Sequence, residues 1–208
     1  MFADRIDAGE RLALALQGRL SPGALVLGVP RGGVVVAAEI ARALGFELDV
    51  VIVRKIGAPG HPEYAIGAID AEGRVLGADP DRVDAAYVKR AAEEGRAEIA
   101  RRLRAYRGIR PGARVAGREV VIVDDGIATG FTLLAAIESV RHSGAARVVV
   151  AAPVAAPGAM DRLRGQADDI VVLAEPEGFY AVGQFYRDFD QTTDAEVVAL
   201  LAEAWARR

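Results

Sequence analysis

Two adjacent carboxylates, Asp124 and Asp125, stand just ahead of a small-residue run with two hydroxyls, Gly126-Ile127-Ala128-Thr129-Gly130-Phe131-Thr132. Paired acids accept hydrogen bonds from a diol, and a run of free N–H groups with Thr hydroxyls can cradle a phosphate. A phosphate beside a diol is the polar outline of a ribose 5-phosphate. A second cluster, Pro30-Arg31-Gly32-Gly33, offers a guanidinium and two residues without side chains, which let a backbone approach a ligand closely. A third, Arg54-Lys55, adds two cations. The bland alternative for the acidic stretch is an ordinary strand–helix turn with a solvated tip. That accounts for the apolar run before the acids, but not for paired acids followed by Thr-Gly-Phe-Thr.

These clusters sit where a repeated strand–loop–helix pattern would place them. Val120-Val121-Ile122-Val123 predicts a fully buried strand ending at Asp124. Leu133, Leu134, Ile137 and Val140 follow at helical spacing, so the new helix aims its free N–H groups and positive dipole end at the loop. Arg141, His142 and Gly144 suit that helix's negative end, which gives His142 a structural role. Leu25 to Val29 predicts the first buried strand, followed by the Arg-Gly-Gly turn and a helix carrying Ala37, Ile40, Ala41 and Leu44. Leu48 to Val53 predicts the next strand, with Arg54 and Lys55 at its tip. Arg147–Ala152 and Asp169–Leu173 predict two more, joined through the loop Ala155-Ala156-Pro157-Gly158 and a short helix. Ligands of an open parallel sheet bind outside the carboxyl ends of the strands, at a switch point, so the first and central strands should be neighbours.

Around this core, Asp7 to Leu20 predicts an amphipathic helix through Leu12, Leu16 and Leu20. Ile56 to Tyr64, with two Pro and two Gly, reads as a mobile loop, and His61 in it as a solvated turn residue. Ala65–Ile69 and Arg74–Leu76 read as a hairpin around Asp70-Ala71-Glu72-Gly73. Asp84 to Arg107 predicts a long charged helix whose Arg101-Arg102-Leu103-Arg104 run is a solvated face with Glu partners. Thr193-Asp194-Ala195-Glu196 is a capping box opening a last helix buried through Val197, Leu200, Leu201 and Trp205.

The stretch from Val120 to Thr132 resembles the phosphoribosyl-pyrophosphate (PRPP) motif of type I phosphoribosyltransferases: apolar run, two acids, two spacers, then small-Thr-Gly-x-Thr. Gly126 departs from it, since the family usually has an aliphatic residue there. Val-Pro-Arg-Gly-Gly from Val29 and Arg-Lys-Ile-Gly-Ala-Pro from Arg54 are similar to a bacterial subgroup whose substrate is generally unassigned. The resemblance thus covers most of the chain. It implies a single α/β domain over 1–208: a three-layer parallel sheet with helices on both faces, a lid hairpin and loop at about 54–112, and a small C-terminal hood at about 175–191.

The same resemblance implies transfer of ribose 5-phosphate from PRPP to a small nitrogen base, releasing pyrophosphate. Asp124 and Asp125 would hold the ribose hydroxyls and Mg²⁺, directly or through water. Arg31 and Lys55 would stabilise the leaving pyrophosphate, with Gly32, Gly33 and Arg54 beside them. Residues Ala128, Thr129, Gly130, Phe131 and Thr132 would surround the phosphate. The Arg-Gly-Gly loop would be the pyrophosphate loop, which in the family often contains a non-proline cis peptide, and the loop after Lys55 would close over the site. The aromatic cluster at Phe179, Tyr180, Phe185, Tyr186 and Phe189 has two readings. One is a hood, with Phe179 or Tyr180 stacking on the nucleobase; the other is a small satellite core. Relatives acting on 6-oxopurines carry an acid where this chain has Ala128; a hood carboxylate, Asp188 or Asp190, is the candidate replacement.

Composition narrows the alternatives. A net charge of −3 argues against bulk nucleic-acid binding. With no Cys there are no disulfides or thiolate metal sites, which fits a cytoplasmic protein. Two His, His61 and His142, leave little for a His-based metal cluster or a Ser-His-Asp triad. No membrane-length apolar run, signal-peptide pattern, P-loop or Gly-x-Ser-x-Gly elbow is present. Two rivals of other classes remain. One is a non-catalytic regulator that senses PRPP or a nucleotide; the other is a pyrophosphokinase, which is expected to carry two such domains. A homodimer is compatible with all of these.

Overall fold

The structure, a computed structural model, describes residues 1–77 and 84–207, with residues 62–65 described by backbone alone. Five strands pair as one parallel sheet, buried at its centre and half-buried at the β8 edge: β1 (Leu25–Gly28), β2 (Glu47–Val50), β6 (Glu119–Val123), β7 (Arg147–Val154) and β8 (Asp169–Ala174), in the order β2-β1-β6-β7-β8. The period-two geometry of a strand sorts their side chains. Val121, Val123, Val149 and Ala151 face one core, covered by α1 (Arg5–Leu16), α2 (Gly32–Leu44), α3 (Ala85–Arg107) and α6 (Asp194–Ala206). Val120, Ile122, Val148 and Val150 face the other, under α4 (Phe131–His142) and α5 (Pro157–Leu163). Each fully buried Val, Leu or Ile contributes about 1.5–3 kcal/mol relative to exposure. Hence the near-continuous apolar runs: a parallel strand covered on both faces has no solvent side to make polar.

Helix ends follow local chemistry. Asp4 caps α1, its carboxylate accepting from the N–H groups of Ile6 and Asp7, so this helix starts two residues before the expected Asp7. It ends at Leu16 rather than Leu20, where the chain turns through Gln17. The capping box at Thr193 and Glu196 forms, and Val197 and Leu201 are buried beneath α6. The long helix runs over Ala85–Arg107 with Asp84 as its cap. His142 sits in the last turn of α4, its ring on the Glu138 carbonyl, and Gly144 follows with φ +84°.

Two expectations are corrected. The strand expected over Leu48–Val53 stops at Val50, and Arg54 and Lys55 are not at its tip. They open β3 (Arg54–Ala58), which pairs antiparallel with β4 (His61–Ile69) in a separate three-stranded sheet completed by β5 (Val75–Leu76). The expected irregular loop is therefore a hairpin turning at Pro59-Gly60. A bulge around Gly57 absorbs the register shift, which is how Gly and Pro are accommodated in paired strands. The Tyr87 hydroxyl donates to the Gly57 carbonyl at 2.9 Å, tying this arm to α3. The expected hairpin around Asp70 forms: its carboxylate accepts from the N–H groups of Glu72 and Arg74 and from Arg74 Nε. Within the expected lid, residues 78–83 lie outside the described residues. No helix among those described is long and apolar enough to cross a membrane.

Candidate active site

Strands β1 and β6 are adjacent and in register, Gly28 opposite Val123, so the loops leaving them emerge side by side. The Val29 N–H donates to the Val123 carbonyl at 2.8 Å, extending the pairing to the start of both loops. The first loop contains a cis peptide between Pro30 and Arg31 and enters α2 at once. Its glycines press against the acidic tip of β6. A Cβ on Gly33 would lie 2.7 Å from the Val123 carbonyl and 2.9 Å from the Asp124 Cα. A Cβ on Gly32 would collide with Asp125 Oδ2. Only residues without side chains permit this approach.

The second loop turns at Gly130, whose φ of +78° and burial suit glycine, and enters α4 at Phe131. Ala128, Thr129 and Phe131 are exposed, and Thr132 is half-buried. Among the described residues, the N–H groups of Ala128, Thr129 and Gly130 have no backbone acceptor. Arg162 braces this loop from α5, donating to the Thr129 carbonyl at 3.0 Å with its guanidinium 5.1 Å from the centre of the Phe131 ring.

Between the loops lies a cavity of 560 Å³. Its walls include Arg31, Gly32, Asp124, Asp125 and Thr132, five of the residues singled out in the sequence. Its other walls are Arg5 from α1, Val29 and Pro30, and Val182, Phe189, Gln191 and Thr192 from the C-terminal region. Asp124 Oδ1 accepts from the Asp125 N–H at 2.9 Å, and Asp125 Oδ2 accepts from Arg5 Nε at 2.8 Å. Burial holds the Asp124 carboxyl well above the usual carboxylate range, and the neighbouring Asp125 charge pushes it the same way. The two carboxyl side chains are also within hydrogen-bonding reach of one another, which favours a proton on Asp124. Tyr186 donates to the Asp125 backbone carbonyl at 2.6 Å, and burial raises that phenol's pKa. Arg31 Nη1 lies 3.8 Å from Asp194 Oδ1, which also accepts from the Tyr106 hydroxyl at 2.7 Å. Burial, then that bond, pushes Tyr106 up to about 12.

Several nominated residues stand outside the cavity walls; of the two loops, Gly33, Ala128, Thr129, Gly130 and Phe131 do not line it. Arg54 and Lys55 are exposed on β3, with the Arg54 stem near Gly95 of α3. Phe179 packs on Phe185 with ring centres 5.2 Å apart, and Tyr180 is 93% exposed, so neither stacks over the cavity. The satellite-core reading describes the rest of the aromatic cluster: Tyr186 is buried between Phe2 and Phe189. Asp188 and Asp190 are exposed and absent from the walls. Gly126 is explained by Val182: a Cβ there would run into the Val182 side chain, with Cγ2 at 2.8 Å. The aliphatic bulk missing from the loop is supplied by the segment folded over it. Arg5 gave no sequence signal, because its role depends on the Asp4 cap and on a segment more than a hundred residues away.

Paired acids and two glycine-bearing loops meet at one carboxyl edge of a parallel α/β sheet, where open sheets of this class bind their ligands. More narrowly, the chain belongs to the phosphoribosyl transferase domain family, which matches residues 22–190. A Mycobacterium tuberculosis H37Rv protein, "Putative phosphoribosyl transferase Rv0571c", is 47% identical over 208 residues, covering 98% of this chain and 47% of the relative. The chain therefore spans about half the length of that protein. The orotate phosphoribosyltransferase of Streptomyces coelicolor is 32% identical over 168 residues, covering 72% of this chain and 88% of the enzyme. The crystal structure of TT1426 from Thermus thermophilus matches with a TM-score of 0.89 at 48% identity, over 97% of this chain and 98% of that one.

Proposed function

We propose that this chain binds PRPP in the cavity between the two loops and transfers its ribose 5-phosphate to a nitrogen base. The single observation that carries the reading is the convergence of the Arg31-Gly32-Gly33 turn on the Asp124-Asp125 tip around one open cavity. Both acids border the cavity, where their carboxyl oxygens can accept from ribose hydroxyls. The N–H groups of Ala128 to Gly130, with Thr129 and Thr132, take the 5-phosphate at the positive end of α4. The C1–O bond to pyrophosphate breaks as the base nitrogen bonds to C1, and the proton the base gives up passes to the released pyrophosphate or to water. Charge builds on the leaving pyrophosphate, where Arg31 and the loop N–H groups can stabilise it.

Mg²⁺ fits this donor set. Among the described residues no cluster of three or more acids or His could hold a metal by itself. Mg²⁺ is commonly bound by one or two carboxylates together with substrate phosphates, and Asp124 and Asp125 supply that number. Bound there, it would neutralise phosphate charge. Arg54 and Lys55 reach the leaving group only if the β3–β4 arm folds inward, which makes the arm the lid; closing it would exclude water. The segment from Val182 to Thr192 forms the hood, with Val182 and Phe189 replacing Phe179 and Tyr180 as its apolar contacts to the base. A cytoplasmic location fits this role.

Incubation with labelled PRPP, Mg²⁺ and a panel of bases, following pyrophosphate release, tests the reading. Pyrophosphate released only with an acceptor supports it. Tight PRPP binding without turnover of any base favours the sensor instead. Ala128 sharpens the expectation, because it cannot take a proton from an attacking base. Hypoxanthine and guanine should show lower kcat/KM than adenine, orotate or uracil; the reverse order contradicts the argument.

A further inference from the structure

We propose that Arg5 is a positioning residue of the PRPP site: it anchors one oxygen of Asp125 so that the other is presented to the ribose. The inference rests on the PRPP reading above. Arg5, on the N-terminal helix, lies outside the matched family region, residues 22–190.

Three contacts fix the guanidinium. Its Nε donates to Asp125 Oδ2 at 2.8 Å, Nη1 donates to the Asp190 carbonyl at 2.8 Å, and Cζ lies 3.8 Å from the centre of the Phe189 ring. A guanidinium is a rigid planar fork, so these contacts set both its plane and its rotation. The side chains of Arg5 and Asp125 are only 12% and 17% exposed, which spares the pair most solvent screening. Its support is itself ordered. The Phe2 N–H donates to the Phe185 carbonyl at 2.7 Å, and the N–H groups of Arg187 and Asp188 donate back to Phe2 and Ala3 at 2.9 Å. The segment before α1 is thus stitched to the hood.

The effect on Asp125 is directional. Oδ2 is enclosed by Arg5 and by Gly32, where a Cβ would lie 2.7 Å from Arg5 Nε. Arg5 engages Oδ2 and leaves Oδ1 to the side of the neighbouring Asp124 and the cavity that Asp125 borders. The terminal torsion of an aspartate is broad. Without Arg5 the carboxylate is free to turn away from the ribose.

A double-mutant cycle on the full chain tests the proposal, with Mg·PRPP titrated calorimetrically into wild type, Arg5→Gln, Asp125→Asn and the double variant. Arg5→Gln should weaken PRPP by about tenfold, and Arg5→Lys should recover part of the loss. In the Asp125→Asn background, Arg5→Gln should add less than about twofold, because the residue acts through Asp125. In turnover, KM for PRPP should rise while kcat and KM for the base hold. If Arg5→Gln melts far below wild type, Arg5→Lys replaces it in the cycle. Unchanged PRPP affinity in the Arg5 variants overturns the proposal, as does an effect that persists undiminished without Asp125. Wild type failing to bind PRPP overturns the PRPP reading and this inference with it; wild type binding normally while the Arg5 variants match it overturns only this one.

Discussion

The tips of β1 and β6 and the arm of β3–β5 both carry charged residues suited to one reaction, but they are built differently. The tips are neighbours in a parallel sheet, their positions fixed by a continuous ladder and a core on each face. The arm is a separate antiparallel sheet held chiefly by α3 and α4, with its basic residues exposed. Binding groups on the first are preorganised. On the proposed reading, those on the second are brought in by closure of the hairpin, while the base of the arm stays anchored through buried Ile56, Ala68, Ile69 and Leu76. On that reading, the difference separates holding PRPP, assigned to the tips, from stabilising its departing pyrophosphate, shared with the arm.

The largest effect should come from breaking the arm's contribution. Lys55→Ala should lower kcat by about 10²–10³-fold, the scale for losing one stabilising group at a developing charge, while PRPP affinity changes little. An unaltered kcat in steady-state kinetics would mean the arm stays where it is. Hydrogen exchange over Gly57 to Tyr64 gives the companion readout and should slow when PRPP is added; exchange equally slow in both states would mean a fixed arm.

Breaking the tips should act on binding instead. Gly32→Ala places a Cβ against Asp125 Oδ2 and displaces both that acid and the loop. Misplacement of about 1 Å can cost about 10²-fold, so PRPP binding by calorimetry should weaken by about that factor. Binding that survives unchanged would show that the two loops do not act together.

How much of this was legible follows from the same contrast. Each tip is a local strand–loop–helix unit, and residues a few positions apart set its chemistry: the acids end a buried strand, and the glycines open the next helix. Sequence reading therefore found Arg31, Gly32, Asp124, Asp125 and Thr132 together. The arm and hood rest on distant pairing. Pro and Gly around residue 60 looked like breakers, and nothing local showed that a bulge would absorb them. Phe179 and Tyr180 looked like the stacking pair because aromatics were scarce. Yet packing among Phe2, Tyr186 and Phe189 turned other residues, Val182 and Phe189, toward the cavity. Gly126 was the one visible trace of Val182.

A smaller effect separates function from stability at the tip itself. Because burial raises the Asp124 pKa, ionising it weakens the folded state. Below the unfolded value, near 3.8, both states are protonated and there is no penalty. The penalty grows as pH rises from there toward the folded value, and persists above it. Asp124→Asn should therefore raise Tm at neutral pH, by about 2–4 °C per kcal/mol relieved, and lose that gain at acid pH. Thermal melts at both pH values check this; a lower Tm at neutral pH would mean that the charge is stabilised in the fold.

The central claim is that the acidic tip of β6 holds the ribose of PRPP. Calorimetric titration of Mg·PRPP into wild type and Asp125→Asn tests it most directly, with melting curves taken alongside. Losing a charge-assisted bond of about 1.5–3 kcal/mol predicts roughly 10–150-fold weaker binding, in a variant whose Tm falls with the loss of the Arg5 pair but which is folded at the temperature of titration. Equal PRPP affinity in folded Asp125→Asn protein would contradict the account.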